Sequence, residues 1–236
     1  MGKVSLRRRK ERRRIFLLLL PILLFSLLFV YYPFLRTVVN AFSRVNSKGE
    51  IRGFAGLENF RYTYSRPDFL PALIHTLTIA AINVPLTLLI TLSLALLTEK
   101  SRRLSPLFES LFSLPMAVSM SAACMIFKSM FSPSVGFINY FFSIKCGWYE
   151  SSETALIPRA ILTIWMGIGF DYLLLLSALR GIPKSVREAT MVDGISLWRR
   201  IFLVEIPLIS PTIFYVFCTS LVLALMTSAP MIIIMG

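Results

Sequence analysis

Histidine is almost missing from this 236-residue chain: His75 is the only one, so no metal-ligand cluster of imidazoles and thiolates is available and no metal is expected. Cysteine is scarce too. Cys124, Cys146 and Cys218 are too few and too scattered for a disulfide framework. Cys124 and Cys218 lie in apolar runs and read as small core residues, and Cys146 reads as the outward one. No G-x-x-x-x-G-K-[ST] occurs anywhere, which excludes a phosphate-cradling loop for ATP hydrolysis in this chain. No cofactor signature and no catalytic constellation is present, so the chain does not read as an enzyme. Internal repeats and low-complexity linkers are likewise lacking. Acidic residues number 12 against 25 Lys and Arg.

What the chain has is apolar length. It is 56% hydrophobic, with a mean hydropathy of +0.73, and a soluble domain of this size needs far more polar surface. The net charge of +13 raises nucleic acid as a partner, but its distribution argues against that. Eight of the basic residues (Lys3, Arg7, Arg8, Arg9, Lys10, Arg12, Arg13 and Arg14) form a tail over residues 1–14, directly before an apolar run. That is the cytoplasmic flank of a membrane span. The run Ile15–Leu35 is charge-free and long enough for roughly 31 Å of helix, more than a signal-peptide core needs. The run ends in "VYYPFL" (Val30–Leu35) and not in a small-residue cleavage site, so it reads as an uncleaved first span with tyrosines at the far interface.

Apolar runs place further spans at about 73–97, 107–128, 160–179 and 207–227, the third with Glu109 and Lys128 at its edges and the fourth interrupted by Asp171. The stretch Ser129–Trp148 holds Pro133 and Gly136 and reads as an interfacial or re-entrant element. With the basic tail, the 99–106 turn and the 180–200 segment hold sixteen of the 25 Lys and Arg; the rest are spread over longer segments that also carry acidic residues. The expectation is one membrane domain over residues 15–236, an all-α polytopic bundle with a cytoplasmic amino terminus and a cytoplasmic loop at 180–204.

That loop is the informative stretch. "REATMVDGISLWRRIFLVEIP" (Arg187–Pro207) puts charges between two lipid-soluble segments. Pro183 suits the first turn of a helix, Ile182, Val186 and Ala189 share a face, and Asp193-Gly194 ends the helix. Ser196 is placed to cap a second short helix through Trp198, and Pro207 starts the next span. A solvated loop is one reading. A knob for a soluble partner is favoured, because Ala189, Trp198 and Ile201 are odd choices for a loop facing only water. A DNA-reading helix–turn–helix is excluded, since both ends enter lipid within a few residues.

The loop resembles the "EAA" loop of ATP-binding-cassette importer permeases: E-A-A, three residues, G, nine residues, I-x-L-P. Here it runs Glu188-Ala189-Thr190, then Gly194, then Ile195–Leu203, then Val204-Glu205-Ile206-Pro207, with Thr190, Val204 and Ile206 as mild departures. "GLENF" (Gly56–Phe60), "HTL" (His75–Leu77), Leu114-Pro115 and "GFIN" (Gly136–Asn139) are similar to the carbohydrate-uptake subgroup, most of all to the first of two paired permeases serving sugars and glycerol-3-phosphate. The resemblance implies a type I importer permease of the MetI-like kind in the plasma (inner) membrane. It implies a second permease subunit as heterodimer partner, a separate ATPase dimer into which the loop docks, and an extracytoplasmic solute-binding protein. Carried over, Pro183, Glu188, Ala189, Asp193, Gly194, Trp198 and Pro207 become ATPase-coupling residues.

Other functions compete. A secondary transporter would be expected to show repeated halves and several intramembrane charges, and only Asp171 is present. A non-transporting scaffold or defunct fragment is the third reading. Asp171 reads either as a solute-pathway residue or as a hydrogen-bonder to a neighbouring helix; Asn83, Ser119 and Asn139 read as pathway residues or helix contacts. Five spans with the amino terminus inside leave the carboxyl end outside or buried. In the family a turn and a further helix follow this position, so a sixth span beyond Gly236 is expected, Pro230 and Met231–Met235 being an apolar stub. The alternative is a short permease whose partner fills the gap.

Overall fold

A computed structural model describes residues 2–46, 49–101, 103–144, 146–149 and 152–226, with the side chains of 2–13, 152 and 153 outside that description. The expectations for Pro230 and Met231–Met235, and the last residue of the fifth span, lie outside the described residues. The chain divides into two compact units, Met1–Ala72 and Leu73–Gly236, which are taken separately.

In the first unit, α1 (Gly2–Ser26) runs through a π-turn (Leu27–Tyr31) into α2 (Tyr32–Ala41). Residues 14–41 form a helix long and apolar enough to cross a membrane. The wide turn ends two residues before Pro33, and the reason is steric. Proline has no N–H to offer the carbonyl four residues back and its ring crowds that carbonyl, so the helix widens there. After α2 a short hairpin interrupts the helices. Strands β1 (Ser43–Val45) and β2 (Ile51–Phe54) pair antiparallel, Ser43 opposite Phe54. The GLENF motif holds this hairpin. Gly56 takes φ +56°, a left-handed turn cheap only for glycine, and α3 (Glu58–Tyr64) follows. Glu58 pairs with Arg44 at 2.7 Å, and the Asn59 amide donates to the carbonyls of Ala41 and Ser43 at 2.9 Å each. The Phe60 ring sits 5.3 Å from that of Phe42.

The second unit is built on two long helices, α4 (Phe69–Lys100, which starts in the first unit) and α8 (Ser152–Arg180); residues 69–100 and 154–180 also have the length and composition of spans. The buried stripe of α4 is Ile79, Ala80, Asn83, Val84, Thr87, Thr91, Ala95 and Thr98, one face of a 3.6-residue period and mostly small. Small residues let helix backbones approach closely where lipid supplies no hydrophobic drive. Two glycines of α8 serve the same end. A Cβ on Gly167 would stand 3.1 Å from Thr87 Cγ2 of α4. One on Gly169 would stand 3.0 Å from the Met116 amide nitrogen of α5 (Ser105–Ala117). Threonine hydroxyls on the stripe donate back along the helix, Thr91 to the Thr87 carbonyl and Thr98 to the Leu94 carbonyl. Tyr172 of α8, fully buried, donates to Thr98 Oγ1 at 2.9 Å. Leu175, Leu176, Leu179, Ile182, Ile209 and Val216 complete the core around it.

The third expected span, 107–128, is two helices. α5 and α6 (Met120–Met130) meet at 97°. Val118 is extended, and Ser119 caps α6 with its hydroxyl accepting from the Ala122 amide at 3.3 Å. The fifth is broken as well: α10 (Leu197–Arg200), a second π-turn (Ile201–Glu205) and α11 (Ile206–Leu208) form one stretch bent 69° from α12 (Ser210–Met226). Again a π-turn ends two residues before a proline, Pro207. Pro211 then occupies the first turn of α12, where its missing N–H is harmless.

Between α6 and α8 the 129–148 stretch is no span. It forms only α7 (Phe137–Phe142). At Gly136 a Cβ would lie 2.3 Å from the Ser132 carbonyl oxygen, so only glycine fits. Asn139 acts as a clamp. Its amide donates to the carbonyls of Cys146 (2.9 Å) and Pro133 (3.3 Å), and its oxygen accepts from the Trp148 indole at 2.6 Å. Cys124 is buried in the adjoining aromatic cluster with Phe127, Phe131 and Leu162.

Candidate functional site

The elbow between α8 and α12 rises from Pro183, which stands just before the first turn of α9 (Lys184–Val192) and not inside it, as its extended ψ of 139° shows. Asp193 closes α9 and Gly194 follows at φ +65°, the left-handed conformation expected of it. Ser196 stands at the start of α10, but its hydroxyl makes no capping bond. The expected face of Ile182, Val186 and Ala189 splits. Ile182 and Val186 pack on the core around Leu179, whereas Ala189 is exposed beside Glu188. Met191, Val192 (87% exposed), Leu197, Trp198 (69%) and Phe202 are exposed as well, and the Trp198 and Phe202 rings stack at 6.2 Å. The elbow thus offers a small residue, a carboxylate and a set of bare apolar side chains over two turns of chain.

Charges fix the elbow to the helices beneath it, and most of these partners escaped the sequence reading. Arg187 turns inward. It pairs with Glu99 at the end of α4, and its Nη2 donates to the Leu179 carbonyl at 2.7 Å, one of the orphan carbonyls at the end of α8. Glu205 is only 1% exposed; Arg200 Nε lies 3.0 Å and Arg187 Nε 4.0 Å from its carboxylate. Two arginines and two glutamates therefore neutralise one another where α4, α9 and the start of α12's approach converge. A few residues away Arg180 grips Glu109 of α5 with both guanidinium arms, at 2.6 and 3.2 Å, and donates to Ser105 Oγ at 2.6 Å. One signal could have found these pairs: Glu99, Glu109 and Glu205 each lie beside an apolar run, where a lone carboxylate is costly.

The expected pathway residues part company. A cavity of about 260 Å³ lies among α4, α6, α8 and α12. Asn83 lines it, donating to Thr163 Oγ1 at 2.6 Å. Ser119 does not: it is the exposed cap at the α5–α6 break. Asp171 does not line it either. It is 6% exposed and accepts a 2.9 Å hydrogen bond from the Ser220 hydroxyl of α12, so it ties α8 to α12, the second of its two readings. Arg159, not singled out from the sequence, is the eighth residue of α8, 9% exposed, on the cavity wall.

No family model matches the chain. Relatives do. It is 30% identical over 216 residues to the sn-glycerol-3-phosphate transport system permease protein UgpA of Pectobacterium atrosepticum, covering 90% of this chain and 73% of the relative. It is 29% identical over 216 residues to the same-named protein of Yersinia enterocolitica, with the same coverage. Among solved structures, a bacterial ABC transporter involved in the import of the acidic polysaccharide alginate superposes with a TM-score of 0.79 at 24% identity, over 97% of this chain and 80% of that one. The fold is therefore that of a multi-pass, helical ABC importer permease. The chain belongs to the permease family of ATP-binding-cassette importers.

Proposed function

We propose that this chain moves a sugar or a related polyol or glycerol phosphate across the plasma membrane, driven by a separate ATPase that grips the 182–204 elbow. The relatives named for sn-glycerol-3-phosphate support the solute class. The observation that carries the coupling is the exposed Glu188–Ala189 pair on α9, ended by Gly194 at φ +65° and backed by the Arg187–Glu99 ion pair. In this reading Glu188 meets a basic group of the ATPase, Ala189 stays small to fit its cleft, and Trp198 extends the contact, while Pro183, Asp193, Gly194 and Pro207 shape the elbow. A second permease completes the pathway, with an extracytoplasmic binding protein delivering the solute; a related structure is a complex with an alginate pentasaccharide-bound periplasmic protein. The amino terminus is cytoplasmic, on the same side as the elbow.

The test is solute-stimulated ATP hydrolysis by the reconstituted importer. Gly194→Val should leave the chain in the membrane but abolish stimulation, since a β-branched residue does not hold a positive φ. Glu188→Ala should reduce stimulation strongly. Normal stimulation in both would end the coupling assignment.

A further inference from the structure

We propose that the cavity among α4, α6, α8 and α12 is an anion-accepting subsite of the transport pathway, with Arg159 as the residue that selects a phosphate or carboxylate group on the solute. The inference rests on the importer reading and adds the charge of the cargo. Arg159 stands at the start of the apolar run of α8 and is only 9% exposed, and a buried ionisable group in a membrane helix marks a functional place by default. Arg159 is on the wall of a cavity of about 260 Å³, room for the head of a small polyol phosphate.

The rest of the wall is built to match. Asn83 is 5% exposed, and its side-chain oxygen makes no hydrogen bond among the described residues while its nitrogen is committed to Thr163. Thr163 in turn donates to the Arg159 and Ala160 carbonyls, so its position is set by the helix that carries the arginine. Ser220 brings a hydroxyl from α12. A guanidinium, an amide oxygen and a hydroxyl around one void suit a molecule carrying an anionic end and hydroxyls. Gly167, where a Cβ would crowd Thr87, keeps α4 and α8 close enough for Asn83 and Thr163 to meet. Asp171 is not among the wall residues, and its carboxylate accepts from the Ser220 hydroxyl. The proteins this chain resembles are named for anionic cargo, glycerol-3-phosphate in one case and an acidic polysaccharide in another, which agrees with a cationic wall.

A phosphate could also reach Arg159 as a lipid headgroup, and the experiment separates the two. Cys124, Cys146 and Cys218 are replaced, Met120 on the cavity wall becomes the only thiol (Met120→Cys), and the full chain is purified in dodecyl maltoside. Its modification is timed with a negatively charged and a positively charged methanethiosulfonate. With Arg159 present the anionic reagent should be favoured by about tenfold relative to Arg159→Gln, the size of effect a charged, low-dielectric cleft produces, and Arg159→Lys should keep the preference. sn-Glycerol 3-phosphate should slow the reaction where glycerol does not, and Arg159→Gln should abolish that protection. An unchanged reagent ratio in Arg159→Gln overturns the proposal. So does a thiol that neither reagent reaches, or protection by added phosphatidylglycerol but not by glycerol 3-phosphate. If Arg159→Gln does not fold, a cationic preference in the Arg159 protein overturns it. The importer reading fails separately, on ATPase-dependent uptake, whatever the thiol reports.

Discussion

Glu205 occupies the variable position in the spaced end of the loop motif, and its carboxylate is sealed beneath two guanidiniums. Removing one partner of such a buried group leaves the other charge without compensation, at about 3–5 kcal/mol. Glu205→Ala should therefore lower the Tm of the purified chain markedly, and Arg200→Ala added to it should recover part of the loss. Strict additivity of the two substitutions would show that the pair is not coupled. Asp171 makes a different claim. Its bond to Ser220 needs only an acceptor, which asparagine supplies and leucine does not. Asp171→Asn should assemble and transport near normally, whereas Asp171→Leu should lose helix packing; equal, near-normal uptake by both would remove the tether. The sequence marked Asp171 by its cost in lipid alone, and cost cannot say which way a carboxylate faces. Asn139 shows the same limit: one small polar residue in an apolar run reads as pathway or as clamp until its three partners are seen.

At the level of elements, lengths and stops were legible and bends were not. Residues 69–100 and 154–180 stand close to the charge-free runs because lipid permits little else. Gly194 took its left-handed place because the D-G pair leaves few alternatives after a short helix. The third run looked continuous since Pro115, Ser119 and Val118 are each tolerable in a membrane helix, and only together do they turn it by 97°. Losing the Ser119 cap should cost about 1 kcal/mol. Ser119→Ala is thus expected to loosen the turn, read as faster amide exchange over 118–123, while Ser119→Asp, which also caps, should not. Equal exchange in both variants would assign the bend to Pro115. The π-turns were invisible for another reason: the widening falls two residues before the proline, where the letters show nothing unusual.

For the whole molecule, the ion pairs of Arg180 and Arg187 gather the 99–109 and 180–205 segments at one end of the second unit, as the distribution of basic residues had grouped them. In a version without native cysteines, Ser185→Cys should react with an impermeant thiol reagent from the cytoplasm and Ser134→Cys from outside. Reaction of Ser185→Cys from outside would invert the topology.

The same pairs bear on how the chain is made. While it threads into the bilayer, Arg180, Arg187 and Arg200 are naked cations, and cations near a span set which way it lies; carboxylates weigh little in that choice. Once α4, α5 and the elbow meet, Glu99, Glu109 and Glu205 neutralise them. The same three arginines can thus serve two tasks, as a compass during synthesis and as rivets in the finished protein. An acidic partner can be recruited for the second task without spoiling the first.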